Sequence, residues 1–269
     1  MNSPENITAE FVRARLNGRS LPAYPGGAVP PDLATAYRVQ DLAIDGWPDN
    51  IVGWKVARIG AQWQKQYPEE RLIGPVFSRN VHEVTHGQVA VCPVFEGGFA
   101  AVEAEIGVYV RADAPAGKTD WTADAAADVV AEVCIGVEVA SSPLVTLNDL
   151  GPGAVVSDFG NNWGVIVGAE VHDWRTRTEE LAVETFIDGQ SVGRASIAIP
   201  QTPLSALAFA LNKAAQRGRP LRAGDYISTG MITGVHDIRI GQQSRLVFGQ
   251  YGEISCRIVR AEAYAGMKR

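Results

Sequence analysis

The sequence predicts an α+β protein in which a small helical N-terminal region precedes a larger, mostly β body. Two observations favour this class. Apolar residues recur at helical spacing within the first fifty residues. From about residue 51, short Val- and Ile-rich runs are bounded by Gly and Pro, which is typical of strands and turns. Strands and helices do not alternate regularly, so a doubly wound sheet is not expected. We therefore expect a helical region over residues 1–50 and a β domain over residues 51–269.

Two helices are predicted in the N-terminal region. Thr8 is placed to cap the first helix, and Gly18 is placed to end it. A loop rich in Pro and Gly follows over residues 19–31. Asp32 is then placed to cap the second helix, which presents one apolar face.

The β body is predicted from Val- and Ile-rich runs and from turn residues. Asp188-Gly189 indicates a tight hairpin between alternating runs. A second hairpin, over residues 246–250 and 253–259, closes the chain. The other predicted strands cover residues 51–56, 101–110, 134–140, 164–171, 182–187 and 226–229.

Two further helices are predicted to interrupt the strands. Thr122 is a candidate cap for a helix over residues 123–133. Thr202 is a candidate cap for a second helix with Pro203 at its first position, and Gly218 would end it.

Composition and charge exclude several function classes. The 269 residues are 46% hydrophobic and 20% charged, which is ordinary for a globular protein. A net charge of −6 argues against a nucleic-acid partner, which would require a basic surface. No apolar run approaches the ~18 residues of a membrane span. Three scattered cysteines without a C-x-x-C pair suggest buried, inert thiols. We expect a cytoplasmic protein without a signal peptide or membrane partner.

Three glutamates are the most informative feature of the chain. Glu103 and Glu105 share one face of a predicted strand because side chains alternate along a strand. Glu138 lies among apolar residues in another predicted strand. Carboxylates buried together repel one another and require a cation, and a hard divalent ion bound by three of them is one solution. A solvated strand face is the alternative, and spacing alone leaves both open.

Other polar residues are weaker candidates. Lys55 lies between Trp and Val on a predicted strand and either reaches solvent or lies near anions. The segment 157–163 contains Asn161 and Asn162, which fit a plain loop or a pocket wall. The segment 230–234, with Thr233, is similarly a turn or a substrate-facing loop.

Other catalytic systems have no support in the sequence. The four histidines form neither an H-E-x-x-H motif nor a zinc-like grouping. There is no G-x-S-x-G elbow, Walker A loop or G-x-G-x-x-G turn. A nucleophilic serine and a nucleotide cofactor are therefore not predicted.

Short motifs follow one another along the chain in a recognisable order. They are Gly53-Trp-Lys55, Gly74-Pro-Val76, Val102-Glu-Ala-Glu-Ile106, Val137-Glu-Val139, Ser157-Asp158 with its Asn pair, Leu221-Arg-Ala-Gly-Asp225 and Gly230-Met-Ile-Thr233. Each motif is weak alone but specific in combination. By these motifs the chain resembles, from about Ala34 to the C-terminus, the 2-keto-4-pentenoate hydratase branch of the fumarylacetoacetate hydrolase superfamily.

The resemblance implies a fold, a metal and site residues. The implied fold is a mixed β-roll or sandwich body like the C-terminal domain of fumarylacetoacetase, with a helical N-terminal part and assembly into homo-oligomers. Glu103, Glu105 and Glu138 match the acids that bind Mg²⁺ or Mn²⁺. Lys55 matches a lysine beside the substrate and is the catalytic candidate. Asn161, Asn162 and Thr233 are the candidate substrate-binding residues.

The chain departs from the resembled family at two points. Relatives commonly carry Asp-Ser-Arg after the third acid, where this chain has Ala140-Ser-Ser-Pro143. Met231 replaces a serine that often precedes the threonine matching Thr233. Both changes are expected to alter the pocket.

The resulting hypothesis is a metal-dependent hydratase of aromatic catabolism that converts a 2-hydroxy-2,4-dienoate into a 4-hydroxy-2-oxo acid. The nearest rival is a 2-oxo-3-enedioate (4-oxalocrotonate type) decarboxylase, followed by an acylpyruvate-type C–C hydrolase. The hydrolase is disfavoured because no histidine precedes His82, whereas such hydrolases use a His–Glu pair on the N-terminal side. An inactive partner subunit is a further alternative, since decarboxylases and hydratases of this family associate.

Overall fold

A computed structural model describes residues 3–264 of the chain. Five α-helices are found in this range: α1 Pro4–Leu16, α2 Leu33–Asp45, α3 Ala123–Ala127, α4 Pro152–Ser157 and α5 Gln201–Gln216. The strands are β1 Ile51–Arg58, β2 Arg71–Phe77, β3 Val81–Glu83, β4 Val89–Val94, β5 Phe99–Val110, β6 Val130–Ser142, β7 Asn162–Glu170, β8 Leu181–Ile187, β9 Gln190–Ile197, β10 Tyr226–Ser228, β11 His236–Asp237, β12 Gln243–Phe248 and β13 Glu253–Arg260.

The strands form two mixed sheets. The larger sheet has the order β2-β1-β10-β5-β6-β7-β3, and β11 also pairs with β5. The smaller sheet has the order β4-β13-β12-β8-β9. Parallel pairs, such as β1 with β10 and β13 with β4, occur beside antiparallel hairpins. The absence of a doubly wound sheet in the described residues agrees with the sequence prediction.

The long hairpin β5–β6 lies at the centre of the larger sheet and is covered on both faces. Eight consecutive β5 residues, from Ala101 to Val108, are buried, so the burial pattern does not alternate. Strands buried on both faces have near-continuous apolar sequences, so a polar residue within β5 cannot reach water by turning to the other face. The hairpin therefore determines the environment of the acidic motif.

Several predicted boundaries were correct. Asp32 caps α2, and its carboxylate accepts a hydrogen bond from the Thr35 backbone N–H at 2.7 Å. Asp188-Gly189 forms the turn between β8 and β9. The closing hairpin is formed by β12 and β13.

The predicted caps at Thr8 and Thr202 were wrong. Ser3 caps α1, which therefore begins one turn before the predicted cap. The Thr8 hydroxyl instead donates a hydrogen bond to the Val39 carbonyl of α2 at 2.9 Å, linking the two N-terminal helices. Helix α5 begins at Gln201, so Thr202 lies within it.

The helix predicted over residues 123–133 was too long. Thr122 does cap it, accepting a hydrogen bond from the Ala125 N–H at 3.2 Å, but the helix ends at Ala127. Val130 begins β6, where it pairs with Val110 of β5. The β-branched valines favour this strand, and the pairing with β5 overrides helical continuation.

No helix in residues 3–264 combines the length and the apolar character needed to cross a bilayer.

Candidate metal centre

The β5–β6 hairpin brings the three predicted acids together. Glu103 lies directly opposite Glu138 in the antiparallel register, and Glu105 is two residues further along β5 on the same face. Each residue offers a carboxylate oxygen, and these oxygens lie within 4.8 Å of one another. Glu103 is 7% exposed, whereas Glu105 and Glu138 are fully buried. Such burial excludes the alternative of a solvated strand face.

Strand β10 positions Glu105 from the other side. Ser228 of β10 pairs with Gly107 of β5, and its hydroxyl donates a short hydrogen bond to Glu105 Oε2. The Gly230 N–H donates a second hydrogen bond to the same oxygen at 3.0 Å. Glu105 Oε2 is therefore fixed in place, while Oε1 of the same carboxylate has no hydrogen-bond partner.

The unpartnered oxygens of this cluster fit a bound cation. Glu105 Oε1 and Glu138 Oε2 have no polar partner, and Glu138 Oε1 accepts no hydrogen bond and has only the Lys55 ammonium nearby. A buried carboxylate oxygen without a partner is costly, because it has lost its hydration and gained nothing in return. Carboxylate oxygens are also the ligands that Mg²⁺ and Mn²⁺ prefer. The donor set of Glu103, Glu105 and Glu138 therefore suits a hard divalent ion.

Lys55 supplies one positive charge to the cluster. It lies on β1 opposite Ser228 of β10, so β10 lies between Lys55 and the acids of β5. The buried Lys55 Nζ lies 3.2 Å from Glu138 Oε1, an ion pair that lacks the directionality of a hydrogen bond. One ammonium group balances one of three ionised carboxylates. The remaining negative charge requires protons or a metal.

Burial and mutual repulsion raise the pKa values of all three acids. Burial, followed by repulsion from Glu138, raises the pKa of Glu103 to about 8 against the attraction of Lys55. Burial and repulsion from Glu103 raise the pKa of Glu105 to about 7, although Ser228 opposes the increase. Burial raises the pKa of Glu138 to about 8 despite its contact with Lys55. Burial alone would lower the pKa of Lys55, but the three carboxylates together raise it.

A cavity of about 340 Å³ opens beside the cluster. Lys55 and Glu103 line it at the cluster, and Gly230 and Trp63 line other parts of its wall. A volume of this size is at the lower end of small-molecule sites. The cavity gives a small organic molecule access to Glu103 and Lys55.

Of the predicted substrate-binding residues, the structure places only Asn161 on this cavity. Asn161 has a left-handed backbone (φ 64°), its Nδ2 donates to Asn148 Oδ1 at 3.3 Å, and its buried Oδ1 lacks a partner. Asn162 instead donates from Nδ2 to the Pro75 carbonyl at 2.8 Å. Thr233 shares hydrogen bonds with Thr185 at 2.8 Å and His236 at 3.1 Å, away from the lining.

A buried arginine, which the sequence did not predict, holds the Asn161 loop. Arg15 Nε donates to Asp158 Oδ1 at 2.5 Å, and its Nη1 donates to the Asn162 carbonyl at 3.1 Å. The Ser142 hydroxyl donates to Asp158 Oδ2 at 2.6 Å. The spacing in the sequence could have indicated this burial, because Arg15 follows Phe11 by four residues and therefore lies on the apolar face of α1.

Comparisons with known proteins concern the fold. No protein-family model matches the chain. The structure is similar to 4-oxalocrotonate decarboxylase from Pseudomonas putida G7 complexed with magnesium and adipate, with a TM-score of 0.76 and 22% identity, covering 95% of this chain and 97% of that chain. The structure is also similar to the calcium and acetate complex of that enzyme, with a TM-score of 0.74, 23% identity and the same coverage of both chains.

A second solved structure has a partial likeness. Fumarylpyruvate hydrolase from Pseudomonas aeruginosa, in complex with Mn²⁺ and pyruvate, has a TM-score of 0.55 and 18% identity, covering 81% of this chain and 94% of that chain. The similarity to the decarboxylase over nearly the whole chain confirms the predicted α+β fold with a mixed β body and N-terminal helices.

Proposed function

We propose that this protein is a divalent-metal-dependent hydratase that adds water to a 2-hydroxy-2,4-dienoate. The observation that carries the proposal is the group of three buried carboxylates with unpartnered oxygens, adjacent to Lys55 and open to a cavity through Glu103. Apolar side chains at these positions would stabilise the fold at least as well, because burying charged groups costs free energy. The retention of the charged cluster beside a cavity is typical of a functional site.

Glu103, Glu105 and Glu138 would hold Mg²⁺ or Mn²⁺. Similar folds were solved with magnesium and adipate and with Mn²⁺ and pyruvate, which are a divalent ion and a carboxylic acid in each case. When bound, such an ion supplies Lewis-acid stabilisation of negative charge on a neighbouring oxygen. Ser228 and Gly230 hold Glu105 in one orientation, which spares it reorganisation when the ion binds.

Lys55 and Asn161 are the residues proposed to act on the substrate. The Lys55 ammonium lines the cavity and can stabilise an enolate oxygen or pass a proton to the substrate carbon chain. The unpartnered Asn161 Oδ1 is a hydrogen-bond acceptor for a water molecule or a substrate hydroxyl.

The proposed reaction is a net addition of one water molecule without redox change. The enol loses its hydroxyl proton and carbon 5 gains a proton, which gives a conjugated 2-oxo-3-enoate. Water oxygen then bonds to carbon 4, and carbon 3 gains a proton. The product is a 4-hydroxy-2-oxo acid.

Decarboxylation of a 2-oxo-3-enedioate is the second candidate. It is favoured by the likeness over nearly the whole chain to a decarboxylase of 4-oxalocrotonate. Hydrolysis of an acylpyruvate receives less support, because no histidine in residues 3–264 lines the cavity. His82 stacks on Trp163, with ring centroids 5.5 Å apart, and does not line it.

The test is incubation of the pure protein and Mg²⁺ with 2-hydroxypenta-2,4-dienoate and, separately, with 4-oxalocrotonate. Hydration predicts loss of dienol absorbance without release of CO₂, whereas decarboxylation predicts CO₂ from the second compound. Lys55→Met and Glu105→Gln should abolish the activity, and the exposed Glu179→Gln should not. Full turnover by both site variants would contradict the proposed site.

A further inference from the structure

An arginine on the cavity wall is buried without a counter-ion. Arg71 begins β2, is 6% exposed and lines the same cavity as Lys55 and Glu103. Among residues 3–264, no carboxylate forms an ion pair with its guanidinium, and its side chain makes no hydrogen bond. None of its nitrogens is enclosed by protein, so the five donors of this charged group open on the cavity, where they are available to an anion.

Arg58 adds a second positive charge at the same place. The two arginines are the final opposed pair of the β1–β2 hairpin, and both line the cavity. Like charges directly opposite one another destabilise a sheet. Burial, followed by repulsion from Arg58, lowers the pKa of Arg71, and Glu70 offsets this only in part. Folding alone therefore does not explain the pair.

The cavity has chemically distinct ends. Lys55 and Glu103 mark the end at the carboxylate cluster. Arg58 lies three residues beyond Lys55 on β1, a rise of about 10 Å along the strand. Ile59 and Gly60, which follow Arg58 in the chain, also line the cavity. A ligand that spans both ends must offer metal-binding oxygens at one and an anion at the other.

We propose that Arg58 and Arg71 bind a second carboxylate of the substrate, so that the enzyme acts on a dianionic 2-oxo or 2-hydroxydienoic acid. The inference rests on the proposed function, because it assigns the other end of the substrate to the metal site. The planar guanidinium of Arg71 matches a carboxylate through two parallel hydrogen bonds. The exposed Arg58 contributes attraction at the cavity entrance.

The test compares two acids that share the 2-oxo acid head and chain length: 2-oxohexanoate, which ends in a methyl group, and 2-oxohexanedioate, which ends in a carboxylate. Neither has the alkene required for turnover. Their dissociation constants are measured by calorimetry with saturating Mg²⁺ and with chelator. The wild-type protein should bind the diacid about tenfold to hundredfold more tightly than the monoacid, the range expected for a hydrogen-bonded charge pair.

Substitution of the arginines should remove the preference for the diacid without weakening the binding of the 2-oxo acid head. Arg71→Gln should lower diacid affinity to that of the monoacid and leave monoacid affinity unchanged. Arg58→Gln should lower diacid affinity by a smaller factor. Because Arg58 is exposed, this variant tests the site even if Arg71→Gln fails to fold. Arg257→Gln, an exposed arginine on β13 of the other sheet, is the charge-matched control and should retain the preference.

Two failures are distinguishable. If both acids bind only with Mg²⁺ and with equal affinity, or if the preference survives both substitutions, the carboxylate site is overturned and the metal site stands. If neither acid shows Mg²⁺-dependent binding, the proposed function is overturned together with the inference.

Discussion

Glu103→Gln should stabilise the metal-free protein while removing its response to metal. Glu103 lies opposite Glu138, and its carboxyl group makes no hydrogen bond to residues 3–264. Its pKa rises from 4.5 to about 8, mainly because burial disfavours the anion. One pKa unit corresponds to about 1.4 kcal/mol, so ionising this carboxyl in the metal-free fold costs on the order of 4–5 kcal/mol. Neutral Gln avoids that cost.

The pH dependence has a definite sign. A carboxyl whose pKa is higher in the folded state contributes stability below its unfolded pKa, and this stability is lost as pH rises through the folded pKa. The wild-type protein should therefore lose stability between about pH 4.5 and 8, whereas Glu103→Gln should lose less. The advantage of the variant should be largest near pH 8.5 and should shrink toward pH 5.

Thermal denaturation with chelator and with Mg²⁺ measures both effects. At pH 8.5 in chelator, Glu103→Gln should melt roughly 10 °C above wild type. Mg²⁺ at about one hundred times its Kd should stabilise wild type by about 2.7 kcal/mol and leave the variant nearly unchanged. Glu179→Gln, an exposed control, should behave as wild type. A variant less stable than wild type in chelator, or an equal response of both to Mg²⁺, would refute this reasoning.

Three further predictions concern the site and its support. Mn²⁺ affinity, measured by electron paramagnetic resonance, should fall as pH falls from about 8.5 to 6, because protons compete for carboxyls whose pKa values are about 7 to 8; constant affinity would contradict this. Arg15→Ala should cost on the order of 3–5 kcal/mol because it leaves Asp158 buried without a cation, whereas the exposed Arg13→Ala should change stability by less than about 0.5 kcal/mol in the same urea titration. Gly74→Ala should lower the free energy of unfolding by about 1–3 kcal/mol and displace the Asn161 loop, because its methyl group would overlap the Phe159 carbonyl. Gly46→Ala, where a methyl group has room, is the control, and equal melting temperatures of the two variants would contradict the overlap.

Local patterns predicted those features whose cause is local. Asp32 caps α2 because a side-chain oxygen can satisfy an N–H group three residues away. Asp188-Gly189 forms a turn because both residues tolerate positive φ. Thr8 shows the limit of such patterns, because its hydroxyl bonds to another helix rather than to its own.

Features that depend on distant contacts were not predicted. The helix after Thr122 stops early because Val130 pairs with Val110 of β5. Arg15 and Arg71 gain their importance from what surrounds them: Arg15 reaches Asp158, 143 residues away, and Arg71 lies on a cavity wall. Neither environment is visible in the flanking sequence.

The sequence by itself determined that Glu103 and Glu105 share a face, because side chains alternate along any strand. Only the tertiary structure decided that Glu138 lies opposite Glu103 and that Lys55 approaches through the pairing of β1 with β10. Strand register is chosen by the packing of the whole sheet rather than by neighbouring residues. Burial also had to be observed, because the same alternation of glutamates fits a solvated face until both sides of β5 are known to be covered.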